Sequence, residues 1–371
     1  MRKLTYFFSL LFVTLVTFII IYFNITKPRI MIIHSYHPEY AWTRDINIGL
    51  IRVLERHPNY SIKWHYMDTQ RHSGKEWFRK AGIMAREAVD QWEPHVLILL
   101  DDSASELVGK YYVNHPKINI VFAGLNGDYK PYGYHTANNV TGILEQKQLQ
   151  ALKETIQMVE IVKTFKAHTT DSASNAVNLS DISNIKMEDK HNVPRIFYLS
   201  DPSESLKIFR IFMDTFDWKP FNYIGSYEAN DYEDWKKAVL ENADKTDYII
   251  VANYRKLPKT SKKEDENKFA SAKEVMEWTE KNSKMPVIGI NVFNVEDGAM
   301  LSVGVSPYEQ GEVSAQMAVD IIEGIKQPKD IPIKLNEQFI IALRKSIMQG
   351  RGIELPAIYE AFARATANYY E

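Results

Sequence analysis

The stretch VLILLDDSAS, residues 96–105, runs an unbroken apolar segment into two adjacent carboxylates and a serine. Continuous rather than alternating apolarity over so short a run marks a strand buried on both faces, as in a parallel sheet covered by helices. Runs of the same kind flank it: IMIIHS (30–35), IKWHYMD (62–68), INIVFAG (118–124) and VTGILE (140–145). Amphipathic segments around 43–57, 74–92 and 103–114 separate them, which predicts a doubly wound α/β lobe. The order then returns, without a sequence repeat, in RIFYLSD (195–201), FNYIGSY (221–227), DYIIVANY (247–254), PVIGIN (286–291) and AMLSVGV (299–305). Helices are expected between these runs near 203–215, 232–243 and 268–282, and after them near 308–324. The predicted fold is therefore α/β, with two doubly wound parallel-sheet lobes and a ligand cleft between them at the carboxyl ends of the strands.

With 371 residues the chain is long enough for two such lobes. Its 45 basic side chains nearly balance 47 acidic ones, so no electrostatic footprint for nucleic acid is present. The absence of cysteine excludes disulfides, thiolate metal sites, a cysteine nucleophile and a lipidated N-terminal cysteine. At the N-terminus, Arg2 and Lys3 precede an uncharged, mostly apolar run from Leu4 to Phe23. At about 1.5 Å per residue, such a run can cross a hydrocarbon core of roughly 30 Å as a single transmembrane helix. No small-x-small cleavage site closes it. Residues 1–28 are therefore expected to form a membrane anchor or uncleaved signal that leaves the rest of the chain outside the inner membrane, a cleaved signal being the alternative.

The first lobe is expected over residues 29–147 and the second over 148–306. A polar, serine- and asparagine-rich surface insertion is expected at 168–192, and a second polar loop at 255–268.

Polar residues at strand ends are the candidate ligand contacts. Ser35 and Tyr36 follow the first strand, and Trp42 in the next loop either packs or closes over a flat ligand group. Asp101 and Asp102 end the most apolar strand; adjacent residues of an extended chain point oppositely, so one of the two should face the ligand. Ser103 follows, either as a helix cap or as a contact. Asn126, Glu145, Asp201, Asn253, Tyr254 and Asn291 sit at the remaining strand ends. Each alone reads as a turn residue, and together they would line two walls of one cleft.

Catalytic templates are missing: there is no phosphate-binding loop, no G-x-G-x-x-G after a strand, no H-E-x-x-H and no G-x-S-x-G elbow. His34 and His37 could share a metal only if the strand stopped at Ser35, and spacing indicates no third ligand. Neither an enzyme nor a cofactor or metal site is expected.

HSYHPEYAWTRDINIGL (34–50), MDTQRH (67–72), LILLDDSAS (97–105) and GAMLSVGVSPYEQGEVSAQMAVDIIEGIKQPKDIPI (298–333) together resemble ABC-transporter substrate-binding proteins of the type I periplasmic-binding fold. The resemblance is to the branch also used as the extracytoplasmic sensing domain of histidine kinases, and it covers about residues 29–356. It implies a two-lobed clamshell that takes a small solute and hands it to an ABC permease; the aromatics, carboxylates and amides at the strand ends favour an amino-acid-like or aromatic solute over other polar organic ones. A membrane sensor kinase or cyclase on a separate chain is the alternative partner. It further implies that the helix at about 307–325 returns to the first lobe and that 326–371 form a segment returning to the second lobe, with a tail. The solute would lie between Ser35, Tyr36, Asp102 and Ser103 of one lobe and Asp201, Asn253 and Asn291 of the other, with Glu145 near a crossover.

Overall fold

The computed structural model describes residues 2–72, 74–168, 177–182, 193–260 and 269–371; in the first helix, α1 (Arg2–Thr26), the described side chains are those of residues 6–22 and 26. The chain divides into two compact units, Met1–Gln146 with Pro307–Asn336, and Lys147–Ser306 with Glu337–Glu371. It passes from one unit to the other three times.

In α1 the side chains of Phe7, Phe8, Leu11, Phe12, Phe18 and Ile19 are exposed. Among the described residues no helix is long and apolar enough to cross a membrane.

The first unit continues with β1 (Arg29–His34), α2 (Ala41–Leu54), β2 (Ser61–Tyr66), α3 (Lys75–Trp92), β3 (Val96–Leu100), α4 (Asp101–Leu107), β4 (Asn119–Asn126) and β5 (Val140–Glu145). Every residue of β3 is buried, because helices cover both faces of a parallel sheet. β1 lies between β2 and β3, and β4 and β5 follow β3 in order, all parallel. The chain therefore reverses its direction of winding between β1 and β3, where an open α/β sheet leaves a crevice at its carboxyl edge.

The second unit repeats this order. Its elements are α5 (Leu149–His168), α6 (Leu179–Ile182), β6 (Arg195–Ser200), α7 (Glu204–Thr215), β7 (Asn222–Glu228), α8 (Tyr232–Glu241), β8 (Tyr248–Val251), α9 (Ala272–Asn282), β9 (Val287–Gly289), α10 (Phe293–Glu296) and β10 (Leu301–Val305). β6 lies between β7 and β8, so its switch point falls between β6 and β8.

Two further segments complete the sheets. α11 (Pro307–Ile322) and β11 (Lys334–Leu335) belong to the first unit, and β12 (Phe339–Arg344), α12 (Lys345–Gly350), α13 (Ala357–Ala365) and β13 (Tyr369–Tyr370) to the second. α11 packs on α2 through facing glycines: a Cβ on Gly311 would collide with the Ile46 carbonyl oxygen, and one on Gly49 with that of Tyr308. Such close approach brings Gln310, wholly buried, to the sheet edge. Its side-chain oxygen accepts from the Gly124 N–H at 2.8 Å and its amide donates to the Leu144 carbonyl at 3.3 Å, which joins the ends of β4 and β5.

The structure departs from the sequence reading in four places. α5 was not anticipated, although Leu152, Ile156 and Val159 recur at helical spacing and are buried. The segment from 326 does not go to the second unit at once: residues to Asn336 stay with the first, where Thr141 donates to the Ile331 carbonyl and Lys334 pairs with Ile143. β12 then runs antiparallel to β10, so the second sheet is mixed rather than purely parallel. Finally, most of the insertion at 168–192 lies outside the described residues, as do residues 261–268 of the second polar loop. In the described part of the insertion, Val177 and Ile182 are buried against Val162 of α5, so this piece belongs to a small apolar cluster.

Candidate functional site

At the carboxyl edge of the first sheet, β1 ends in His34, whose ring is buried beside Tyr66 with centroids 5.0 Å apart. Nε2 lies 2.7 Å from Asn47 Oδ1, while the Asn47 amide donates to the Tyr66 hydroxyl. A carbonyl oxygen only accepts, so Nε2 carries a proton. Burial pushes the ring pKa down to about 3, against a smaller opposing effect of the Asn47 hydrogen bond.

Ser35 is also fully buried. Its hydroxyl donates to the Leu100 carbonyl at 2.7 Å and accepts from the Ala104 N–H at 2.9 Å, and its carbonyl accepts from the backbone and hydroxyl of Thr69. With its hydroxyl proton and one lone pair engaged inside the unit, Ser35 fastens β1 to β3, α4 and the loop after β2, a structural role where a ligand contact is expected from the sequence. It also supplies the side-chain oxygen at the start of α4 that Ser103 was expected to provide. α4 begins at Asp101 rather than at Ser103, which is partly exposed within its first turn.

The two adjacent carboxylates part company. Asp101 is buried in left-handed backbone, φ 71°, and its Oδ1 accepts from the Trp42 indole at 2.8 Å. A Cβ on Gly124 would lie 2.9 Å from that same oxygen, so glycine is required there. Trp42 is thereby tied to the end of β3 and packs on the core around α2 and α11, as a wall rather than a lid. Asp102 stays partly exposed and accepts from the Asn126 amide at 3.1 Å and the Tyr132 hydroxyl at 2.9 Å.

Tyr36 faces this group. Burial, and then the charges of Asp101, Tyr40, Asp102 and Glu145, push its phenol well above the usual range. Tyr132 is held protonated in the same way, by burial and Asp102. Of the eight residues selected in this unit, Tyr36, Asp102, Ser103, Asn126 and Glu145 thus remain as accessible or partly accessible polar groups. Together they offer carboxylate acceptors and phenolic donors, suited to hydroxyl or ammonium groups.

Three participants were missed. Tyr132 comes from an irregular loop whose pattern carries no strand-end signal. Asp68 and Arg71 lie in the MDTQRH segment: Asp68 adopts a left-handed φ of 54° and takes both Arg71 Nε and Nη2, at 2.8 and 2.7 Å. His37 and His72 approach the same carboxylate at 3.5 and 3.6 Å. His34 and His37 therefore have separate partners, Asn47 and Asp68, and among the described residues no group of three ligating side chains could hold a metal.

The corresponding edge of the second sheet is built differently. Asp201, wholly buried, accepts from the Ser203 N–H and hydroxyl and from the Lys256 N–H. Asn253 Oδ1 accepts from the N–H groups of Tyr254 and Arg255, both at 2.9 Å, which forms a turn closed by its own side chain. Tyr254 turns into the core against Trp235 and donates to Asp297, which also binds Arg255 at 3.0 Å. Where ligand contacts are expected from the sequence, Asp201 is engaged by its own loops and Tyr254 by the core. Asn291 is partly exposed; its oxygen receives the Lys147 ammonium at 2.9 Å, and its amide donates to the Ala252 carbonyl. Lys147 and the ring of Phe293, over which Arg255 lies at 4.1 Å, were not foreseen.

Comparison with known proteins bears on this geometry. A family model described as ABC transporter substrate binding protein matches residues 263–364. No curated protein matches the sequence. Among solved structures, a conserved domain protein from Vibrio cholerae is similar with a TM-score of 0.60 at 18% identity, over 93% of this chain and 100% of that one. A ligand-free, open substrate binding protein with adhesive properties from Clostridium difficile gives 0.60 at 15% identity, over 89% and 96%. An ABC domain from Streptococcus pneumonia in complex with L-Trp gives 0.55 at 15% identity, over 90% and 98%. The resemblance read from the sequence is upheld, and these likenesses establish the fold of solute-binding proteins for this chain.

Proposed function

We propose that this protein is an extracytoplasmic solute-binding protein that takes a small molecule at the strand ends of its two lobes and delivers it to an ABC importer, without chemical conversion. The observation that carries this reading is the group around Asp102: a partly exposed carboxylate at a sheet switch point, fixed by Asn126 and Tyr132 and facing a protonated Tyr36. Fixed donors and acceptors with nothing to activate suit recognition. At the edge of the second sheet, Asn291 and Lys147 offer further polar groups. Acceptors on one side and aromatic rings beside them favour an amino-acid-like or aromatic solute. The apolar residues 4–23 anchor the chain to the inner membrane, a role supported by the exposed rings and aliphatic side chains of α1.

Thermal denaturation against a panel of amino acids and small aromatic or hydroxylated solutes tests the site. A cognate solute at a hundred times its dissociation constant stabilises the fold by about 2.7 kcal/mol. At roughly 2–4 °C per kcal/mol this is a shift of several degrees. Asp102→Ala and Tyr36→Phe should each remove most of it, and the solute should be recovered intact after incubation. Recovery of a converted product would overturn the binding role; loss of the gene with no effect on uptake of that solute would overturn delivery to an importer.

A further inference from the structure

Away from both sheet edges, the first unit carries a groove of about 440 Å³ between α3 and the turn that follows α4. Lys75, Arg79, Gly82 and Arg86 line it from α3, and Glu106, Leu107, Lys110 and Tyr111 from the other side. The α3 residues recur at spacings of four, three and four, so they form one stripe along the helix. Gly82 makes the groove possible, since a Cβ there would stand 3.1 Å from that of Leu107. Through this gap Arg86 donates to the Leu107 carbonyl while its guanidinium lies 4.2 Å from the centre of the Tyr111 ring. One cation of the groove is thus immobilised.

Charge in the groove is one-sided. Glu106 is paired with Lys110, so Lys75, Arg79 and Arg86 face it with no carboxylate partner among the described residues. In a chain whose charges nearly cancel, 45 against 47, three uncompensated cations around one concavity are a local excess. Phe78 and the exposed ring of Tyr111 give the same groove apolar walls. We infer that this groove is a docking site for an acidic segment of a partner protein, with its carboxylates on Lys75, Arg79 and Arg86 and an apolar side chain between Phe78 and Tyr111. Charge complementarity of this kind governs encounter and register more than raw affinity, so the contact should be quickly formed and salt-sensitive. The site is independent of solute capture, because none of its residues lies at a strand end.

The test is fluorescence anisotropy of the full chain, in detergent, with a labelled peptide alternating glutamate and phenylalanine, an all-glutamate peptide and a lysine–phenylalanine control. The glutamate–phenylalanine peptide should bind, more tightly than all-glutamate, and lose affinity between low and physiological salt. Lys75→Glu with Arg79→Glu should weaken it at least tenfold without altering the melting temperature, because both side chains are exposed. Lys245→Glu with Lys281→Glu, which removes two exposed cations of the second unit, should leave it within twofold. Equal losses in the two double variants, or no binding at all, would overturn the docking site. Competition by inorganic phosphate at low millimolar concentration would assign the groove to a small anion instead and overturn it as well.

Discussion

The two sheets share the order of their parallel strands, and each puts a carboxylate after one of the two strands that flank its switch point, yet they use these carboxylates in opposite ways. In the first unit the switch-point carboxylate Asp102 is held from the side by Asn126 and Tyr132 and stays partly exposed. In the second, Asp201 is wholly buried and accepts from two backbone N–H groups and a hydroxyl of its own loops. A carboxylate at a strand end can thus serve a ligand or replace one. The backbone decides which: where the following loop leaves N–H groups without partners, the carboxylate turns inward to meet them.

The sharpest way to break this contrast is Asp201→Ala. It strands the buried N–H and hydroxyl of Ser203 and frees the part-buried Lys256 N–H, each buried loss being worth about 1–3 kcal/mol, so urea denaturation should show a loss on the order of 3 kcal/mol. A loss below about 1 kcal/mol would mean that Asp201 is not structural. Next comes Gly311→Ala in the first unit, where a methyl group would meet the Ile46 carbonyl. Overpacking of this kind costs roughly 1–3 kcal/mol, and the strand-end group should loosen with it because Gln310 is displaced.

A pH experiment sharpens the contrast further. The unfolded chain protonates His34 near 6.5 and the folded chain only near 3, so its stability contribution is complete above pH 6.5 and falls as the pH drops toward 3. Between pH 6.5 and 5 the loss is about 2 kcal/mol at roughly 1.4 kcal/mol per pH unit. His34→Gln should flatten that acid slope, measured as urea stability at pH 7 and pH 5; an unchanged slope would place the titration elsewhere. The smallest effect belongs to Asp102→Ala, which should alter stability by less than about 1 kcal/mol, since its carboxylate is partly exposed and its donors Asn126 and Tyr132 are side chains. A larger loss would put Asp102 in the same class as Asp201 and erase the difference.

The strands were legible because burial on both faces writes an unbroken apolar run, as in Val96–Leu100. α5 was hidden by the absence of flanking signals, its apolar residues being diluted by lysine and glutamate. Of the site, sequence position located Tyr36, Asp102, Asn126, Glu145 and Asn291 at strand ends. Direction was beyond it: nothing local distinguishes Ser35, which meets Leu100 across 65 positions, from a serine free to bind, and the inward turn of Tyr254 depends on Asp297, 43 positions later. Tyr132 and Lys147 act through loops that have no period to read.

The return of α11 and β11 to the first sheet also sets a timetable for making the protein. Thr141 must wait for Ile331, 190 residues further along, before its hydroxyl finds the carbonyl it donates to. At about 5–20 residues per second, β5 is synthesised roughly 10–40 s before the strand that covers it. Through that interval the nascent first sheet has an open edge, and a cellular factor that shields edges or delays compaction has its window there.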